Sequence, residues 1–217
     1  MKKIVSILAV AGLAMGAQAG IWDETTNGGG DAGDLAGTAQ MTSGTGGLTG
    51  ITGNNAASDV DLYIIKIVDP GAFRATVLSG PDSQLWLFNL NGGGIVHNDD
   101  STSLFSQFRG VDVFTTGSTT GMTVASQLVA GECYILGYSR YNRDALNGAN
   151  TAMFAGSPFN GIHGLIAGSG PLASWTGTTS AGGAYSIELV GADYCIPTPG
   201  TAALLGLGGL LAARRRR

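Results

Sequence analysis

The chain of 217 residues is short of charge, thiol and imidazole: 12% of its residues are charged, and it carries two cysteines and two histidines. A transition-metal centre draws on several imidazoles or thiolates close together, so Cys133, Cys195, His97 and His163 argue against catalytic zinc. His97, beside Asn98 and Asp99, reads as a surface histidine at a turn, and His163, between glycines, as part of a loop. Basic residues are scarcer still away from the ends, because Lys2, Lys3 and the final four arginines are six of the eleven. Lys66, Arg74, Arg109, Arg140 and Arg143 are left to face fifteen carboxylates between Asp23 and Asp193, a net charge near −10. Such a surface repels nucleic acid and anionic lipid and attracts divalent cations or basic partners. There is no Gly-x-Ser-x-Gly elbow, and Gly92-Gly93-Gly94 runs into a strand pattern without a P-loop lysine. Asp99 and Asp100 are neighbours in a strand-like stretch, where adjacent side chains point to opposite faces, so they make a poor acid/base pair. These absences predict a protein that is not an enzyme; the alternative is a secreted hydrolase or its accessory module.

What is present at the ends speaks of export. Lys2-Lys3 form a basic start, Ile4 to Met15 an apolar run, and Ala17-Gln18-Ala19 a small-x-small cleavage pattern, which predicts a signal peptide over 1–19 and a mature start at Gly20. At the other end come Pro197-Thr198-Pro199-Gly200, an apolar stretch from Thr201 to Ala213, then Arg214, Arg215, Arg216 and Arg217. Thirteen residues make a helix of roughly 20 Å, short of the roughly 30 Å hydrocarbon core, so the segment holds a chain in a membrane weakly. Terminal arginines stay on the cytoplasmic side, which leaves the residues before Pro197 outside. This order of proline motif, apolar segment and arginine cluster resembles the PEP-CTERM sorting signal of bacteria that secrete exopolysaccharide. The resemblance implies a sorting signal over 196–217, transient membrane anchoring, processing by signal peptidase and exosortase, and release to the cell surface or extracellular matrix. Thr198 stands where that signal usually has glutamate.

Between these ends, about 175 residues rich in glycine, serine and threonine predict an all-β fold, a single β-sandwich or jelly-roll-like domain over 20–195. A signal-peptide helix would precede it and a short hydrophobic helix follow it. Asp61 to Val68 and Phe73 to Leu78, joined at Asp69-Pro70-Gly71, read as a hairpin; Gln84 to Leu90 and Ile95 to His97, joined at Asn91-Gly92-Gly93-Gly94, read as a second. Met122 to Leu128, Cys133 to Tyr138 and Ala184 to Val190 add strands, and Asn142 to Thr179 reads as a long excursion across one end, with one short strand near Ile162 to Ala167. In an oxidising exterior Cys133 and Cys195 form a disulfide, the alternative being a free thiol or a lipid attachment site.

Five stretches carry a further resemblance: Asp59-Val60-Asp61-Leu62-Tyr63, Gln84-Leu85-Trp86-Leu87-Phe88, Asn98-Asp99-Asp100, Gly131-Glu132-Cys133-Tyr134 and Gly183-Ala184-Tyr185-Ser186-Ile187. Over roughly Leu35 to Val190 they are similar to the pre-peptidase C-terminal (PPC) domain of secreted bacterial proteins, which implies a β-sandwich with an accessory, binding or stabilising role. Independently, Asp59, Asp61, Asp82, Asn89, Asn91, Asp99 and Asp100 lie at predicted strand ends and turns, where oxygen ligands can converge on calcium. The same residues serve equally as turn formers that bond the local backbone. Asp31 and Asp34 lack the spacing of an EF-hand loop. A calcium-dependent carbohydrate-binding module, with Trp175 and Tyr141 exposed side by side, is a further alternative. The reading that gathers most of these features is an exported cell-surface or matrix protein with a structural, adhesive or binding role, with exopolysaccharide as a partner.

Overall fold

Val60 to Ile67 (VDLYIIKI) has apolar side chains at both odd and even positions, the pattern of a strand covered on two faces. Arg74 to Ser79 (RATVLS) instead alternates, the pattern of a strand with one wet face. That contrast sorts the strands into sheets. The computed structural model describes residues 19–44, 46–101, 103–177 and 182–195. Ala17 of the leader, and Pro197, Thr198, Pro199, Arg214, Arg215, Arg216 and Arg217 of the sorting signal, lie outside the described residues.

The first sheet holds, in spatial order, β1 (Gly20–Asp23), β3 (Leu48–Asn55), β13 (Gly183–Val190), β5 (Arg74–Ser79) and β8 (Gln107–Arg109). The second runs β11 (His163–Gly164), β7 (Gly94–Asn98), β6 (Ser83–Asn89), β9 (Glu132–Arg140), β4 (Val60–Ile67) and β14 (Ala192–Tyr194), with β2 (Gln40–Met41) parallel beside β4. Neighbours are otherwise antiparallel, except β1 beside β3. The expected β-sandwich is the observed fold. Ile51, Val77, Ile187 and Leu189 of the first sheet meet Tyr63, Ile65, Leu85, Leu87 and Leu136 of the second in one dry core.

A second core lies on the other face of the second sheet. There Val60, Leu62, Trp86, Phe88 and Ile135 are covered by Ala145, Met153 and Phe154, with Leu165, Leu172 and Trp175 packed around them. The covering layer is the glycine-rich stretch after Tyr141, including the small antiparallel pair β10 (Ala145–Asn147) and β12 (Leu172–Trp175). The excursion therefore lies over a sheet face, not across one end, because Trp86 and Phe88 would otherwise stand in water. Gly137 makes room for this packing. It pairs with Leu62 on one side and Trp86 on the other, and a Cβ there would stand 2.8 Å from Leu62 Cδ2 and 3.2 Å from Trp86 Cβ.

Two further strand expectations are corrected. Asp69 does form a turn, its Oδ1 accepting from the N–H groups of Gly71 and Ala72 at 3.1 Å, but the turn carries the chain from one sheet to the other. β4 and β5 are thus a crossover rather than a hairpin; the doubly covered strand takes a central place and the alternating one goes to the half-exposed sheet. Within Met122 to Leu128 the chain forms a 3₁₀ turn at Val124–Gln127 that buries Val124.

Cys133, at the start of β9, is disulfide-bonded to Cys195, just past β14, a separation of 62 residues. Closing such a loop stabilises the fold by about 4 kcal/mol in the chain-entropy account. The Cys133→Ser/Cys195→Ser double variant is expected to lose about that much in urea-induced unfolding, with an unchanged slope if the loss is only of stability. An unfolding midpoint equal to that of the oxidised parent would contradict this.

Candidate cation sites

Burying carboxylates is costly unless hydrogen bonds or positive charges meet them. Two places in this fold gather carboxylates with little of either. Glu24, Asp31 and Asp61 offer oxygens within 4.8 Å of one another, as do Asp82, Asp99 and Asp100. Among the described residues, the ion pairs are Arg74 with Glu188 and Arg109 with Asp112, so neither cluster is neutralised by one.

The first cluster closes one end of the inter-sheet core. Asp61 alternates along β4 with Tyr63 and Ile65, so its carboxylate is fully buried; Asn55, at the end of β3, donates Nδ2–H to Oδ2 at 3.3 Å, and the Tyr185 hydroxyl also reaches the carboxylate. Asp61 Oδ1 and Asn55 Oδ1 are both buried with no hydrogen-bond partner. Glu24, just after β1, accepts from Ala32 N at 3.1 Å and Asn54 N at 2.9 Å, which fixes its carboxylate in place. Asp59 accepts from Val60 N at 2.9 Å, and its charge bears on Asp31, Glu24 and Asp61. Burial, then the charge of Glu24, pushes the Asp61 carboxyl up to about 8. Burial also raises Glu24, against its two backbone hydrogen bonds, and raises Asp31. Beneath them the Tyr63 and Tyr185 hydroxyls share a hydrogen bond of 2.5 Å, and Tyr185 stacks on Tyr138 at 3.7 Å between ring centroids. Burial raises all three phenols, so they stay neutral beside the carboxylates.

The second cluster sits where the β6–β7 hairpin opens. Asp82 precedes β6 and Asp99 and Asp100 follow β7, so antiparallel pairing brings both strand ends together. Asp99 and Asp100 lie past the strand, where the chain bends, and both reach one cluster instead of opposite faces. Burial, then the charges of Asp100, Asp82 and Asp144, pushes Asp99 up to about 7. Burial and Asp100 raise Asp82 while Arg140 opposes them.

Thus Asp61 and the triplet Asp82, Asp99 and Asp100 fall into two separate oxygen clusters, with Asp59 at the edge of the first. Asn89 belongs to neither: its Oδ1 accepts from Asn91 N at 2.9 Å and Gly93 N at 3.0 Å, the hairpin-turn role. Glu24 and Asp31 were not legible as ligands, since no local spacing connects them with Asp61. Ala19 and Gly20 lie at the start of the described chain, and Gly20 opens β1.

The histidines are interior, not surface, groups. His97 is 2% exposed, stacked on Trp86 at 3.7 Å, and burial lowers its pKa well below the usual imidazole range. His163 Nε2 donates to Pro158 O at 3.0 Å, leaving Nδ1 to accept from Thr116 Oγ1 at 2.8 Å. The cavity beside Trp86, His97 and Asp144 is about 70 Å³, too small for an organic substrate. Trp175 is not an exposed platform beside Tyr141: it packs edge-on to Trp86 at 5.4 Å and donates Nε1–H to Asp34 O at 2.6 Å. Compared with known proteins, the chain matches no family model, no curated protein and no solved structure.

Proposed function

We propose that this chain is an exported, non-enzymatic β-sandwich module of the cell surface or extracellular matrix, stiffened by calcium and delivered by a PEP-CTERM-like tail. The observation that carries the reading is the position of the disulfide. Cys195 ends the described chain two residues before Pro197 and is bonded to Cys133 in the middle of the second sheet. A bond there ties the domain's last strand to its core immediately ahead of the segment that an exosortase would engage, and such a bond persists in an oxidising exterior. The acidic body, the buried histidines and the PPC-like sequence stretches fit a stabilising or adhesive role better than hydrolysis. Calcium enters at Glu24, Asp31 and Asp61, with Asn55 Oδ1 as an amide ligand, because an all-oxygen site with spare lone pairs suits a hard cation.

The test is expression of the full chain in a bacterium that carries an exosortase, followed by fractionation and intact-mass analysis. The expected product begins at Gly20, lacks Arg214 to Arg217, contains the disulfide and is found outside the cytoplasm. Replacing the four arginines by serine is expected to leave an unprocessed species in the membrane or the medium. A full-length, reduced chain in the cytoplasm would sink the reading.

A further inference from the structure

We propose that Asp82, Asp99 and Asp100 form a second calcium site, distinct from the one at Glu24, Asp31 and Asp61 and open to a surface groove. Each of the three carries a buried Oδ1 without a hydrogen-bond partner, and their carboxylate oxygens approach within 4.8 Å of one another. Asp99 is only 5% exposed, so this oxygen has given up water and received nothing in return.

The surrounding hydrogen bonds fix the backbone and leave one oxygen of each carboxylate without a partner. Asn98 Nδ2 donates to Asp100 O at 2.7 Å and to Gly161 O at 2.9 Å, while Asn98 Oδ1 accepts from Gln107 N at 2.8 Å. Ser106 Oγ donates to Asp99 O at 2.6 Å, and Asp100 N to Phe159 O at 2.9 Å. The bend after β7 is thereby held from both sides, which preorganises three carboxylates that repel one another. A bend built this way and left uncompensated would be a net cost to folding; a divalent cation turns it into a gain.

Arg140 is the competing explanation, since its charge favours ionised Asp82. It makes no ion pair with any of the three, and its Nε and one terminal nitrogen are themselves without partners. Asp144 adds a fourth negative charge felt by Asp99. The donors are all hard oxygens, without nitrogen or sulfur, and calcium accepts such irregular sets more readily than magnesium, which holds its water and demands octahedral geometry. Asp100 also lines a groove with Ser101, Ser103, Ser157 and Asn160, so the ion is reached from the surface.

Calorimetric titration of the purified full chain with calcium tests this. The parent is expected to take up two ions, Asp99→Asn one, Asp61→Asn the other one, and the double variant none. Losing one of three charges is expected to weaken the affected event roughly tenfold or more. Asp82→Asn, at a half-exposed position, gives the same reading if Asp99→Asn fails to fold by near-ultraviolet circular dichroism. The proposal is overturned if the parent binds no ion, if its single ion is lost in Asp61→Asn, or if the Asp99 and Asp82 variants bind as the parent does. A single ion lost in Asp99→Asn but kept in Asp61→Asn would support this site and refute the calcium part of the proposed function.

Discussion

With calcium chelated, the thermal midpoint of this protein is expected to fall as the pH rises from about 6.5 to about 8. Asp61 and Asp99 are raised in the fold to about 8 and about 7, while in the unfolded chain both titrate near 3.8. The folded state therefore holds two protons that the unfolded chain has released, and their stabilisation, fully present below about 4, is lost as the pH climbs through the folded values. His97 and His163, both lowered by burial, work in the opposite direction below their usual 6.5, where the unfolded chain takes up protons more readily than the folded one. Below pH 6.5 the two effects oppose one another. Above that only the carboxyls remain, and at about 1.4 kcal/mol per pH unit per proton the loss by pH 8 is roughly 2–3 kcal/mol. For a chain of this size that is about 5–10 °C.

Calcium should invert this profile. An ion that replaces the protons stabilises the ionised carboxyls, so its effect is largest near pH 8 and vanishes near pH 4, where protons outcompete it. With calcium present only the histidine effect is left, and the midpoint rises towards pH 6.5 and then levels. Asp61→Asn mimics the protonated carboxyl. In chelator at pH 8 it is expected to be more stable than the parent by several kcal/mol, and in calcium to gain less. A chelated profile that stays flat or rises above pH 6.5, together with an Asp61→Asn variant less stable than its parent, would contradict the account.

The sequence made the second cluster legible in principle, and the first only through Asp61 and its neighbour Asp59. Once Gln84 to Leu90 and Ile95 to His97 are read as a hairpin, residues just before and just after it must meet, which places Asp82 beside Asp99 and Asp100. The turn signal was equally plain at Asp69-Pro70-Gly71, yet a turn does not say whether the next strand joins the same sheet. Burial on both faces of β4, against one face of β5, decided that, and only the alternation of individual residues hinted at it. Glu24, Asp31 and Asp61 come from three segments whose meeting depends on β1 pairing parallel to β3, a long-range choice without a local signature. The third layer was illegible for a similar reason. Its apolar residues Met153, Phe154, Leu165, Leu172 and Trp175 are scattered among glycines without a period, because irregular backbone positions them singly.

That layered arrangement makes Trp86→Ala the most damaging single substitution expected here. Trp86 lies at the middle of β6, 1% exposed, on the face covered by the irregular layer. Its ring stacks on His97 at 3.7 Å, meets Trp175 at 5.4 Å and Phe154 at 5.6 Å, and its Nε1 donates to Ser139 Oγ at 2.8 Å. Truncating a buried tryptophan costs about 3–5 kcal/mol, a large part of the stability of an ordinary domain. The loss has a direction as well as a size. Leu87, the next residue along β6, points into the core between the two sheets, and Leu87→Ala is expected to cost about 2–5 kcal/mol by loosening sheet from sheet. Trp86→Ala instead removes the anchor of the covering layer, whose backbone has few strand bonds to hold it, so residues 142–177 should open before the sandwich does. Limited proteolysis followed by mass analysis separates the two. In Trp86→Ala the first cuts are expected within residues 148–160 while the disulfide-bonded sandwich stays folded; in Leu87→Ala cutting should follow global unfolding. If both variants are cut at the same places and rates once matched for stability, the covering layer is not an independently releasable unit and the two cores unfold as one.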